Sequence, residues 1–222
     1  LLNEALGNNK LYSAEADNTE LMPLSTSAEM DSLVQAMAGG RVGVVVHFDT
    51  NADYNLSPEY KYEEAVKKVP MSVTLTEQAN ETSEVSNYVL PIHNQLEAWN
   101  DFKTRTGFYS MQQPIIAPLY NTRQKEAILL NWKEPKEFTE TLYKDYLSSN
   151  WEKVIYPAMG AAAPFKKFWN SVLHDGVVYM NEKPELAGGA FAVDAFASAP
   201  KMKATNDFTI LLQGNNNVGD GR

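Results

Sequence analysis

Cysteine is absent from all 222 residues, so the chain offers no thiolate for an iron–sulfur cluster or a zinc site, and no disulfide. Redox compartment therefore leaves no mark on the composition. Histidine is scarce. His47, His93 and His174 lie far apart, none with His or Glu at metal-ligand spacing on a helix, and each is expected to be a satisfied structural imidazole. His174 falls at an expected helix C-terminus, where the dipole favours a capping role. Positive charge is in deficit: 19 Lys and Arg against 28 Asp and Glu give a net charge of −9, which repels a phosphate backbone or an anionic membrane surface and excludes nucleic acid as an expected partner. No apolar run approaches the roughly 20 residues of a spanning helix. There is no phosphate-cradling glycine loop, because the glycines of GNNNVGDGR have no helix after them, and no nucleophile elbow. Glu63-Glu64 and Glu81 with Glu84 fall on expected helices and read as solvated faces.

What is present is enough apolar residue, 44%, to bury a core. In STSAEMDSLVQAMAGG, Thr26 and Glu29 have capping-box spacing. Met30, Leu33, Val34 and Met37 form one apolar stripe, and Gly39-Gly40 ends it, so a helix is expected. Val42 to Phe48 follows as a near-continuous apolar run, expected as a parallel strand buried on both faces. Ser57-Pro58 opens a second helix with Tyr62, Ala65, Val66 and Val69 inward, and MSVTLT from Met71 is the next strand. The order α-β-α-β with short connections predicts a doubly wound, mostly parallel α/β sheet with flanking helices and right-handed crossovers. Ligands of such sheets sit beyond the carboxyl ends of the strands. The loops Asp49-Thr50-Asn51-Ala52-Asp53 and Glu77 to Glu81 occupy that position. Asp49 and Asp53 admit two readings, turn chemistry or ligand binding.

After Pro91 the pattern loosens. TRTGFYSMQQPIIAPLY is expected as an extended surface segment because each Pro removes a ladder donor. EFTETLYKDYLSSNW predicts a helix with Phe138, Leu142, Tyr146 and Leu147 inward. PFKKFWNSVLHDG predicts another, with Phe165, Phe168, Trp169, Val172 and Leu173 inward and Gly176 as its stop. AGGAFAVDAFASAP resists assignment, and NDFTILLQGNNNVGDGR predicts a final strand and a Gly/Asn tail. LLNEALGNNK, with Leu1, Leu2, Ala5 and Leu6 as a stripe, reads as the end of an amphipathic helix, and the chain is expected to be a piece of a longer protein. The expected organisation is 1–25 as that helix end and a linker, 26–134 as an α/β nucleotide-binding-like domain, and 135–222 as a helical insertion and final strand leading towards a further domain.

The ordered set EEAVKKVP, a strand, ETSEVSNYVLP, LEAW and QPIIAPLY resembles the molybdopterin oxidoreductase family, in the domain following its first nucleotide-binding half. The nearest branch is the molybdopterin-like subunit of alternative complex III, a bacterial quinol:cytochrome c oxidoreductase, with Gln113 to Tyr120 and Leu173 to Val178 especially similar. The resemblance covers most of residues 1–180 and rests on the order of the motifs. It implies that the loop after the first strand, here Asp49, Thr50, Asn51 and Ala52, once faced a pterin dinucleotide. In catalytic members a Gly there lets the backbone come close, and here only Asn51 matches. Glu81-Thr82 and Val89-Leu90-Pro91 match the family's elements, whereas Ser86-Asn87 replaces Ala-Asp and Asn100 stands where a Gly often follows.

Asp49 carries the most weight in this comparison. Two like unit charges about 4 Å apart repel by roughly 4 kcal/mol at an effective dielectric near 20, on the order of a thousandfold in affinity. Asp49, Thr50, Asn51, Glu81 and Thr82 are therefore expected as vestigial cofactor contacts, with no catalytic residue, no metal and no cofactor in this segment. Molybdopterin guanine dinucleotide and iron–sulfur clusters are what the family implies for the full chain. The resemblance implies a non-catalytic scaffold on the periplasmic side of the bacterial inner membrane. Its partners would be the rest of its own chain, an iron–sulfur domain, cytochrome c and the membrane subunits of a respiratory complex. Two other readings stand: a domain of a catalytic molybdenum or tungsten bis-pterin reductase of the polysulfide or thiosulfate type, and a free-standing α/β small-molecule binding protein.

Overall fold

The computed structural model describes residues 24–135 and 137–180. The final strand expected in NDFTILLQG, the AGGAFAVDAFASAP stretch and the stripe at Leu1 to Leu6 lie outside the described residues. The first helix, α1 (Ser27–Ala38), opens on the anticipated capping box: Glu29 N–H donates to Thr26 Oγ1, and the Glu29 carboxylate accepts from Thr26 N–H at 2.7 Å. Strand β1 (Val44–Phe48) then leads into a short helix α2 (Ala52–Asn55). The helix expected after Ser57-Pro58 comes in two pieces, a 3₁₀ turn at Pro58–Tyr60 and α3 (Tyr62–Val66), split where Lys61 takes a left-handed φ of 49°. Its inward stripe is as expected, since Tyr62, Ala65, Val66 and Val69 are all buried against Val34 and Met37 of α1.

Strands β2 (Met71–Thr76) and β3 (Tyr88–Pro91), with α4 (Glu81–Val85) between them, complete a parallel sheet of order β1-β2-β3. Helices α1 and α3 cover the face carrying Val45. On the opposite face Val73, Leu75 and Ile92 are sealed by Ile128 of α5 (Lys125–Lys133). Helices thus flank both faces of a parallel sheet, the α/β architecture read from the element order. The expectation of burial on both faces belongs to a different strand. β1 lies at the edge with Val44 55%, Val46 39% and Phe48 37% exposed, whereas β2, paired on both sides, is buried from Ser72 to Thr76. A run of β-branched residues marks a strand but not its place in the sheet.

A second sheet was not anticipated. Asn100–Arg105 (β4) and Phe108–Gln112 (β5) form an antiparallel hairpin around Gly107, whose φ is 71°, and Val177–Tyr179 (β6) pairs with β5. The expected extended segment therefore holds only from about Pro114 onward, because the prolines begin there and the preceding TRTGFYSM has none to break a ladder. β6 joins residues of the 135–222 stretch to a sheet begun in 26–134.

The next helix, α6 (Leu142–Asn150), starts later than expected. Phe138 and Tyr146 are 39% and 48% exposed, whereas Leu147 is buried as expected and the buried line continues through Trp151 and Ile155. After α6 the ladder widens into a π turn, Trp151–Ile155, in which Tyr156 N–H reaches back to the Trp151 carbonyl. Pro157 follows in α7 (Tyr156–Met159) and has no N–H to donate. Helix α8 (Phe165–Asp175) ends as predicted at Gly176, φ 71°. Its Trp169 and Val172 close an aromatic core around Trp151, whose ring meets Trp169 edge-on at 5.8 Å.

Candidate strand-end site

The two loops predicted to lie beyond the carboxyl ends of β1 and β2 meet there. Asn51 supplies the bridge. Its Oδ1 accepts from Thr82 N–H at 3.1 Å and from Thr82 Oγ1 at 2.9 Å, and its Nδ2 donates to Glu81 Oε2 at 2.7 Å. Thr82 Oγ1 in turn accepts from Asp53 N–H at 2.9 Å. Three of the five anticipated site residues, Asn51, Glu81 and Thr82, are thus brought together 30 residues apart in sequence, and their polar atoms face one another. The Thr82 amide is one of the orphan donors at the start of α4. Asn80 caps Ser83 of the same helix from its own cap position, and Asn51 caps Thr82 from another loop. Thr50 is exposed beside them.

Asp49 is held differently. Its φ of 54° is left-handed, a conformation that Gly takes without strain and Asp tolerates. Its N–H donates to the Leu75 carbonyl at 2.9 Å, so that amide is not free for a phosphate. Its carboxylate is paired with Lys125 at the start of α5, whose ammonium also lies 5.5 Å from the centre of the Phe48 ring. The repulsion expected from Asp49 is revised accordingly: Lys125 compensates that charge locally, and a half-exposed pair of this kind contributes about 0–1 kcal/mol. Sequence reasoning missed Lys125, which stands 76 residues away and carries no local signal.

Asp49 and Lys125, but not Asn51, Glu81 or Thr82, line a cavity of about 220 Å³ between the strand ends and the second sheet, with Glu77, Glu126, Asn100 and Gln112 also in its wall. Glu77 accepts from Asn94 Nδ2 at 2.6 Å, and Glu126 accepts from Gln124 Nε2 at 3.1 Å. Three carboxylates around one ammonium suit a phosphate poorly. Ser86 and Asn87 belong elsewhere. They precede β3 at the amino end of the sheet, where Asn87 Oδ1 accepts from Ser72 N–H at 2.8 Å, so their departure from the family pattern concerns sheet assembly and not this cavity. Among the described residues no three His, Asp or Glu side chains group as a metal site.

Behind the site runs a buried polar chain whose direction can be worked out. Ser86 Oγ donates its only proton to the Thr82 carbonyl at 2.8 Å, so across the 2.7 Å contact Thr74 Oγ1 must donate to Ser86. Thr74 therefore accepts from His47 Nδ1 at 3.0 Å, and His47 Nε2 accepts from the Tyr62 hydroxyl at 2.9 Å. His47 is the neutral Nδ1-protonated tautomer, the satisfied imidazole expected. Burial holds its pKa below the ordinary value of 6.5. Burial, aided by the charge of Asp53, pushes Tyr62 up to about 12. His93 is likewise satisfied, by Thr122 Oγ1 at 2.6 Å, and His174 pairs with Asp175 at 2.8 Å.

No family model matches the chain, and no curated protein does. Among solved structures, acetylene hydratase from Pelobacter acetylenicus superposes on 70% of this chain at 15% identity, with a TM-score of 0.48. The chain spans 21% of the length of that protein. Among the described residues no helix is long and apolar enough to cross a membrane.

Proposed function

We propose that this chain is a non-catalytic, molybdopterin-like scaffold domain of a respiratory quinol:cytochrome c oxidoreductase of the alternative complex III type, held on the periplasmic side of the membrane. The observation that carries this reading is the fate of the matched ligand positions. Asn51, Glu81 and Thr82 bond to one another, the Asp49 amide is bonded to Leu75, and the Asp49 carboxylate is bonded to Lys125. A pterin dinucleotide needs donors turned towards its pyrophosphate, and here the donors at the matched positions Asp49, Asn51 and Thr82 are bonded to the protein itself. The residues present do not fit that group. With no cysteine in the sequence, thiolate-bound electron carriers would come from the rest of the assembly, with cytochrome c and membrane subunits as partners.

The rival reading, a domain of a catalytic molybdenum or tungsten bis-pterin reductase, is favoured by one observation: Lys125 is a cation at the strand ends that could turn from Asp49 to a phosphate. Metal analysis of the intact purified protein, with fluorescence of oxidised pterin in an acid extract, separates the two. The scaffold reading expects neither molybdenum nor tungsten at stoichiometric level and no pterin. One equivalent of metal with two of pterin would establish the reductase.

A further inference from the structure

A larger cleft, about 720 Å³, lies beside the strand-end cavity, sharing His93 and Gln124 with its wall, between the Pro-rich segment 113–123 and the first turn of α6. That volume suits a small organic ligand. Its frame is preformed. Ile115 and Ile116 N–H both donate to the Leu96 carbonyl, Leu119 N–H donates to Glu97 Oε1 at 2.9 Å, Arg123 N–H to the Pro91 carbonyl, and His93 N–H to the Arg123 carbonyl. The floor is polar but already satisfied. Gln124 holds Trp99 by its backbone N–H and carbonyl, and the Glu97 carboxylate takes the amides of Asn94 and Leu119.

Two charges are left over. The Arg123 guanidinium lies 5.9 Å from the centre of the Phe138 ring, and the Lys144 ammonium lies 5.1 Å from that of Trp99. Neither meets a carboxylate among the described residues. Among the described residues Arg123 bonds by its side chain through Nη1, to Asn121 and the Thr122 carbonyl, which leaves the other edge of its fork open to them. A cation seated over a ring is restrained before a ligand arrives, so less side-chain entropy is lost on binding. Pro114, Ile116 and Pro118 supply apolar wall to the same cleft. Glu140 is the remaining carboxylate of the lining, and it disfavours a doubly charged ligand more than a singly charged one.

We propose that this cleft is a binding site for a flat aromatic monocarboxylate. The ring lies against the Pro114, Ile116 and Pro118 wall, and the carboxylate is held by Arg123 and Lys144. This is a site apart from the strand-end loops and does not depend on the scaffold reading. Calorimetric titration of the full chain with naphthoate, and in parallel with uncharged naphthalenemethanol, tests it. Saturable binding of naphthoate at a single site is expected, with the alcohol at least about tenfold weaker, as loss of a charge-assisted contact implies. Arg123→Gln and Lys144→Gln should each weaken naphthoate by about tenfold while leaving the alcohol unchanged. Absence of saturable naphthoate binding, equal affinity for the alcohol, or full naphthoate affinity in both folded variants would overturn the proposal. The comparison of the two probes on the unaltered chain needs no variant to fold.

Discussion

Replacing Asn51 by Ala separates a side chain that holds the protein together from one kept for a ligand. The Asn51 carboxamide makes three hydrogen bonds, two to Thr82 and one to Glu81. Thr82 is fully buried, so once Asn51 is shortened its amide and hydroxyl protons have no water to turn to. Stranding buried donors costs about 1–3 kcal/mol, and the bond to the exposed Glu81 adds less, so Asn51→Ala should destabilise the protein by about 2–4 kcal/mol. Asn51→Asp keeps the acceptor for Thr82 but places a second carboxylate against Glu81, and it should recover only part of the loss. Urea unfolding followed by far-UV circular dichroism reads both. A loss below about 0.5 kcal/mol for Asn51→Ala would refute the structural role and return Asn51 to the ligand side of the ledger.

Acid should weaken the protein through His47. Burial lowers its folded pKa below 6.5, so the unfolded chain binds more protons as pH falls through that value, and stability rises with pH across this window. His47→Gln should flatten that slope in urea midpoints taken between about pH 5 and pH 8, leaving the share due to His93, which burial also lowers. An unchanged slope in the variant would count against the assignment. Trp151 is fully buried and its Nε1 donates to Asp101 at 2.7 Å, so Trp151→Ala should cost about 3–5 kcal/mol, and a loss under about 1 kcal/mol would show the aromatic core to be misplaced.

Local chemistry was legible where its cause was local. The Thr26 to Glu29 capping box, the Tyr62, Ala65, Val66, Val69 stripe and the Gly176 stop each depend on residues within a turn or two, and each appears where the spacing placed it. Position within a sheet depends on neighbours remote in sequence, which is why the apolar run of β1 does not reveal that it lies at the edge while β2 lies at the centre. The helix after Phe138 was misread for a related reason. Phe138 lies outside a helix that begins only at Leu142, so it cannot join the stripe, and the buried line runs on in steps of four through Leu147, Trp151 and Ile155, the last of them carried by the π turn. The strand-end rule located both loops of the site. It was silent on Lys125 and on which polar atoms would be spent on each other, since those follow from how α5 and α4 dock.

The row of hydroxyls behind His47 has a consequence for proton traffic. A wire that shuttles protons must be able to reverse every link, each oxygen passing on one hydrogen and receiving another from the opposite side. The row from Tyr62 through His47, Thr74 and Ser86 terminates on the Thr82 carbonyl, which has no hydrogen to hand back. Its dipoles are therefore poled in one sense for as long as the fold persists. What looks like a relay in the heart of the sheet is an insulator, a fixed bias between two helices and two strands that carries no current.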